Sequence, residues 1–136
     1  VAKLMNSGEM EVDLVPQGTL AERIRAKGAG LGGILTQTGL GTLVQEGKQV
    51  IESEGTKYLL EVPLAADLAI IEATYADKFG NGVNIGTTRN FNPLMALAAD
   101  KVVLGTYKLH ELGEVDPSTV TIDGVLVDHI VQIEEM

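Results

Sequence analysis

Cysteine is absent from the 136 residues. Disulfides, thiolate nucleophiles and cysteine-bound zinc are thereby excluded. Tryptophan is absent too, and there are only three tyrosines and two phenylalanines. The core must therefore be aliphatic, built from Val, Leu, Ile and Ala. The two histidines, His110 and His129, lie far apart and form no ligand motif. Positive charge is scarce: 10 Lys and Arg face 19 Asp and Glu, a net charge of −9. Phosphate binding needs a basic face, so nucleic acid is disfavoured as a partner. An anionic membrane surface is disfavoured for the same reason. No apolar run approaches the roughly 20 residues that cross a bilayer. No signal-peptide pattern opens the sequence. These absences describe a soluble, cytoplasmic protein.

What is present is glycine, with sixteen residues spread between short apolar runs. They punctuate the chain as turns rather than forming a low-complexity tract. The length suits a single domain, residues 1–136, with a real core. Val1 to Ser7 reads as the tail of a helix stopped at Gly8. A start at Val1 reads as a chain cut upstream.

The densest signals lie between Glu11 and Gly33. Val12 to Val15 is a short apolar strand, closed by Pro16, which has no N–H and a fixed φ. Thr19-Leu20-Ala21-Glu22 has the pattern of a capping box. Arg23, Arg25 and Lys27 load the last turns of the helix, where positive charge suits the dipole. Gly28 is expected as its left-handed end. Gln17 is a polar amide between strand and helix, where α/β proteins place ligand contacts. The run from Gly28 to Gly33 matches G-x-G-x-x-G, but it follows a helix instead of opening one, so it is no dinucleotide fingerprint.

Ile34 to Leu43 reads as an irregular loop rich in hydroxyls, and Thr42 to Gln45 as a second, short capping box. Gln49 to Glu61 reads as a β-hairpin turning at Glu54-Gly55. Asp67 to Ala73 is a continuous apolar run suited to a strand buried on both faces. A turn cluster follows from Asp77 to Gly82, then a short strand from Val83 to Ile85. Asn92 and Pro93 open a helix as N-cap and first helical residue. Lys101 to Leu104 is a further strand, Leu112 to Thr121 is turn-rich, and Val125 to Ile133 makes a last strand. The alternation gives an α/β fold with a largely parallel sheet, flanked by helices and carrying a β-hairpin.

Residues 8 to 47, which contain Val-Pro-Gln-Gly-Thr-Leu-Ala-Glu-Arg-Ile-Arg-Ala-Lys-Gly-Ala-Gly, resemble the α subunit of the family I CoA-transferases of the acetate/acetoacetate (3-oxoacid) type. Arg89-Asn90-Phe91-Asn92-Pro93-Leu94 and Val127-Asp128-His129-Ile130-Val131 carry the same resemblance. It covers essentially the whole chain. It implies a CoA-transferase-like fold lacking its first α/β unit, which in the family bears a Gly-Gly-Phe loop at the CoA site. It also implies a β-subunit partner carrying the catalytic glutamate in a Ser-Glu-Asn-Gly motif, which this sequence does not contain.

The implied activity moves CoA between a short-chain acyl-CoA and a carboxylic acid such as acetate, acetoacetate or butyrate. Coenzyme A is then a substrate, with no covalently bound cofactor and no metal. Gln17, the glutamine of the family's Pro-Gln-Gly motif, is implied as the donor to the substrate carbonyl or oxyanion. Gly18, Gly28, Gly30 and Thr38 are expected beside the substrate. Glu9, Glu11, Glu22 and Glu46 have no motif supporting a nucleophile, so this piece alone is expected to be inactive. Two alternatives stay open: a CoA-transferase-like lyase subunit, and a non-catalytic structural piece of the complex. A sugar-phosphate isomerase lacks its phosphate-binding and acid/base residues here.

Overall fold

A computed structural model describes residues 1–134. Helix α1 (Ala2–Asn6) ends at Gly8, as expected. Gly8 has φ 75°, which lets its N–H reach the Met5 carbonyl and the Glu9 N–H reach the Leu4 carbonyl. Residues 11–16 carry no strand pairing, so the expected strand from Val12 to Val15 does not form. A strand needs a neighbour for its backbone groups, and none lies beside this segment among the described residues.

Helix α2 (Gln17–Gly28) starts three residues earlier than the capping-box pattern predicts. Pro16 is the N-cap, and its carbonyl accepts from the Leu20 N–H at 2.9 Å. Thr19 is thus buried inside the first turn, and Glu22 pairs with Arg25 at 3.2 Å. The capping box is not made. At the other end Gly28 stays helical, and Gly30, with φ 68°, is the left-handed residue. The Gly30 N–H bonds to the Lys27 carbonyl at 3.0 Å and the Leu31 N–H to the Ala26 carbonyl at 2.8 Å, a paired closure of the helix end. Gly28 has a different reason to be glycine: a Cβ there would sit 2.5 Å from the Leu97 Cβ of the crossing helix.

A small antiparallel sheet follows: β1 (Ile34–Thr36), β2 (Val50–Ser53) and β3 (Thr56–Glu61), in the order β1-β3-β2. The hairpin between β2 and β3 turns at Glu54 (φ 50°) and Gly55 (φ 75°), the left-handed pair that matches strand twist. Strand β1 replaces part of the expected loop. Gly33 permits it, since a Cβ there would lie 2.9 Å from the Glu61 carbonyl oxygen. At the second expected capping box, Thr42 caps a short 3₁₀ turn, Leu43–Gln45, but the reciprocal box is not made: the Val44 N–H donates to Thr42 Oγ1, and Gln45 Oε1 accepts from the Gly41 N–H instead of that of Thr42. Buried Glu61 meets Lys48 Nζ at 2.6 Å, the pairing that a buried carboxylate requires.

The larger sheet has β4 (Ala66–Asp77), β5 (Gly82–Val83), β6 (Ala99–His110) and β7 (His129–Gln132), in the order β5-β4-β6-β7. Strands β4, β6 and β7 are parallel and β5 is antiparallel, so the α/β fold holds with a mixed, mainly parallel sheet. Helix α3 (Asn92–Ala98) leads directly into β6. The core unites Ala69, Ile71, Ala73 and Ala76 of β4 with Val102 and Leu104 of β6, Ala96 of α3, and Ile122. The other face of β4 is open, contrary to the expectation of a strand buried on both sides. Leu68 is 51% exposed and Ile70 72%, because no helix among the described residues covers them.

Where β5 ends, two asparagine side chains take over its role as neighbour to β4. Asn84 Nδ2 donates to the Glu72 carbonyl at 2.7 Å, and the Glu72 N–H donates to Asn92 Oδ1 at 3.2 Å. Asn92 also donates to the Thr88 carbonyl at 2.9 Å, so its side chain ties α3 to β4 instead of capping α3 as expected. Asp77 closes the β4–β5 turn: its Oδ1 accepts from the N–H groups of Phe79, Gly80 and Asn81, each at 3.0 Å. Burial would raise the Asp77 pKa, but these bonds and one from the Asn81 side chain outweigh it and hold the carboxyl below its usual range. At the far strand, Asp128 accepts from Lys101 Nζ and from the Val102 N–H, both at 2.8 Å, which seats β7 beside β6.

Candidate active site

An open cleft of about 630 Å³ lies between the first turns of α2, strand β1 with its following loop, and the segment leading into α3. Gln17 and Gly18 come from α2, Thr36 and Thr38 from β1 and its exit, and Asn90 and Leu94 from the third wall. Each wall is anchored outside the cleft. Arg23 on α2 donates through Nε to the Val62 carbonyl at 2.8 Å, and its own carbonyl accepts from the Leu64 N–H at 3.0 Å. These bonds strap α2 to the β3–β4 connection. Pairing with β3 fixes β1, and Asn92 fixes the segment before α3.

The failed capping box matters here. Pro16 offers no side-chain cap, so the N–H groups of Gln17, Gly18 and Thr19 have no partner among the described residues. Those free donors and the helix dipole give this end of α2 a partial positive charge. The Gln17 side chain makes no hydrogen bond within the described residues either, and it lies exposed at the same place. Gly18 leaves its backbone bare, since a Cβ there would touch nothing within 4 Å. Across the cleft, Thr36 Oγ1 accepts from the Thr38 N–H at 3.1 Å. That bond sets the loop and leaves the Thr38 hydroxyl exposed.

Charge in the cleft is balanced. Glu22 and Arg25 are the charged lining residues, and they face each other at 3.2 Å. Glu9, Glu11 and Glu46 lie outside it. Neutral donors and a helix N-terminus suit one chemical task above others: stabilising negative charge that develops on an oxygen. Among the described residues no cluster of His, Asp and Glu could hold a metal ion, and no helix is long and apolar enough to cross a membrane.

Of the residues expected beside the substrate, Gln17, Gly18 and Thr38 share this cleft. Gly28 and Gly30 lie outside it, one at the α2–α3 crossing and the other in the helix closure. Sequence reasoning missed Glu22, Arg25, Asn90 and Leu94 as cleft residues. Asn90 and Leu94 did carry a signal, since both stand in the Arg-Asn-Phe-Asn-Pro-Leu block. Glu22 and Arg25 had been fully accounted for by helix chemistry.

The model of the coenzyme A transferase family matches residues 1–133. The chain belongs to the coenzyme A transferase family. It is 53% identical over 131 residues to the acetate CoA-transferase subunit alpha of Escherichia coli K12, covering 96% of this chain and 60% of that protein. It is 51% identical over 130 residues to the acetoacetyl-CoA:acetate/butyrate CoA transferase alpha subunit of Clostridium acetobutylicum, covering 96% and 59%. The chain thus spans about 60% of the length of the curated relatives it matches. Among solved structures, an acyl-CoA transferase from Escherichia coli O157:H7, in a thioester complex with CoA, superposes with a TM-score of 0.85 at 25% identity, over 97% of this chain and 30% of the other. The cleft therefore lies in a chain with a CoA-transferase fold.

Proposed function

We propose that this chain forms part of the α subunit of a CoA-transferase that exchanges CoA between a short-chain acyl-CoA and a carboxylic acid such as acetate, acetoacetate or butyrate. A β subunit supplies the catalytic glutamate, and the complex works in the cytoplasm. In this reading the partner's carboxylate attacks the acyl-CoA carbonyl, forming an acyl-glutamyl anhydride and releasing CoA thiolate. The thiolate attacks the glutamyl carbonyl, giving a glutamyl-CoA thioester and the first free acid. An incoming carboxylate then attacks that thioester, and the released thiolate attacks the new acyl carbonyl to regenerate the glutamate. No net proton is gained or lost.

Each addition passes through a tetrahedral oxyanion. The observation that carries the reading is Gln17 at the uncapped start of α2, inside the cleft. Its amide donates without carrying charge, and the free N–H groups of Gly18 and Thr19 lie on the same turn. A single donor of this kind contributes about 3–4 kcal/mol to transition-state stabilisation in other enzymes. Gly18 and Thr38 line the same cleft, which supports a place for them beside the substrate. Coenzyme A acts as a substrate, and no covalently bound cofactor enters the scheme.

The names of the two bacterial relatives favour this reading over a lyase subunit or a non-catalytic piece. The division of labour has a direct test. The complex is incubated with acetyl-CoA and no acceptor acid, and each chain is weighed by intact-mass spectrometry. The CoA adduct is expected on the partner chain alone. An adduct on a glutamate of this chain would overturn the assignment.

A further inference from the structure

The cleft's one cation is engaged: Arg25 faces Glu22 at 3.2 Å. That pair lies exposed along one side of α2 and uses Arg25 Nε; the other hydrogen-bonding side chains lining the cleft are neutral. Besides Gln17, Thr38 and Asn90 have side-chain donors to spare. Thr38 is exposed, and only its backbone N–H is bonded, to Thr36 Oγ1. Asn90 is exposed on the third wall, and its backbone N–H bonds to the Thr87 carbonyl at 3.1 Å. Its side-chain amide has no partner among the described residues. The surrounding segment is nonetheless held firmly. Thr88 Oγ1 donates to the Ile85 carbonyl at 3.0 Å, and Asn92 holds Thr88 and the Glu72 N–H. Of the three asparagines in this region, Asn84 and Asn92 spend their side chains on the backbone of β4, and Asn90 presents its own to the cleft.

We infer that Asn90, with the Thr38 hydroxyl opposite, hydrogen-bonds the carboxylate of the acceptor acid and orients it for attack. This rests on the cleft being the acyl-transfer site. Neutral donors suit the task for a chemical reason. The carboxylate must act as a nucleophile, and an ion pair with arginine would bind it tightly while drawing down its reactivity. An amide orients the carboxylate and leaves its charge in place. Asn92 is the positioning residue behind Asn90.

The test uses the assembled two-subunit enzyme and initial rates with acetate and acetyl-CoA varied independently. Asn90→Ala is expected to raise the KM for acetate about tenfold, the size of one lost hydrogen bond to a charged acceptor. The KM for acetyl-CoA should change less than threefold. Asn90→Asp, which sets a like charge against the acid, should raise the acetate KM further. Gln17→Ala is measured alongside and should lower kcat for every acid. Should Gln17→Ala impair turnover while both Asn90 variants keep the wild-type acetate KM, the Asn90 assignment is wrong and the site stands. A fall in kcat alone on Asn90→Ala, with acetate KM unmoved, also contradicts it. Should Gln17→Ala leave turnover unchanged, the site fails and this inference goes with it.

Discussion

Two polar regions of the molecule differ in how their side chains are spent. At the seam of β4, β5 and α3, Asp77, Asn84, Asn92 and Thr121 all bond within the chain. In the cleft, Gln17, Thr38 and Asn90 line the walls with side chains that bond to nothing among the described residues. Polar groups that close a seam stabilise the fold, and their removal strands partners that were bonded. Polar groups left open in a cleft contribute little to folding and are free for a ligand. The seam should therefore answer in stability and the cleft in activity.

The largest stability effect belongs to Asp77→Ala. It removes the acceptor shared by the N–H groups of Phe79, Gly80 and Asn81, and should cost about 3 kcal/mol in urea unfolding. A cost under about 1 kcal/mol would break the contrast, because the seam would then be no more committed than the cleft. Gly28→Ala comes next. Helix propensity favours alanine by about 1 kcal/mol, but the new Cβ meets Leu97 Cβ at 2.5 Å. Overpacking of this kind costs about 1–3 kcal/mol, so a net loss of about 1 kcal/mol is expected. A gain in stability would show that α3 yields easily.

Asn92→Ala should cost about 1 kcal/mol by leaving the Glu72 N–H without its acceptor. It straddles the two regions, since the same side chain holds the segment that carries Asn90. Its acetate KM should therefore rise along with its loss of stability, whereas Asp77→Ala should leave that KM alone.

The smallest effect is on pH dependence. The Asp77 carboxyl titrates below its usual value in the folded chain, so its contribution is complete above the ordinary carboxylate pKa. That contribution is lost as pH falls through the lowered folded value. The wild type should lose more stability than Asp77→Ala between pH 5 and about pH 3, the region around an ordinary aspartate pKa. Parallel pH–stability curves would remove Asp77 from the account.

The sequence made some of this legible and hid the rest for physical reasons. The hairpin at Glu54-Gly55 was readable because a two-residue turn is decided by its own backbone. The strand at β4 and the helix at α3 were readable from composition. The exact start of α2 was not. Thr19 and Glu22 have the spacing of a capping box, but burial of Thr19 drew it into the first turn and moved the start to Gln17. Gly28 and Gly30 are indistinguishable as local end signals, and only the crossing of Leu97 separates their roles. The open face of β4 could not be foreseen, because an apolar run encodes what a strand can bury, not what is there to bury it. In the candidate site, Gln17 was legible from the Pro-Gln-Gly motif and Thr38 from the hydroxyl-rich loop that holds it. Asn90 enters only when the fold brings the segment before α3 against α2.

The central claim is that the uncapped start of α2 acts on the reaction and contributes little to the fold. Gln17→Ala in the assembled enzyme tests it most directly, with turnover and urea unfolding measured on the same preparation. The account predicts a fall in kcat of about 100- to 1,000-fold, with unfolding stability within about 0.5 kcal/mol of wild type. Wild-type turnover, or a loss of activity that merely tracks a loss of folded protein, would contradict it.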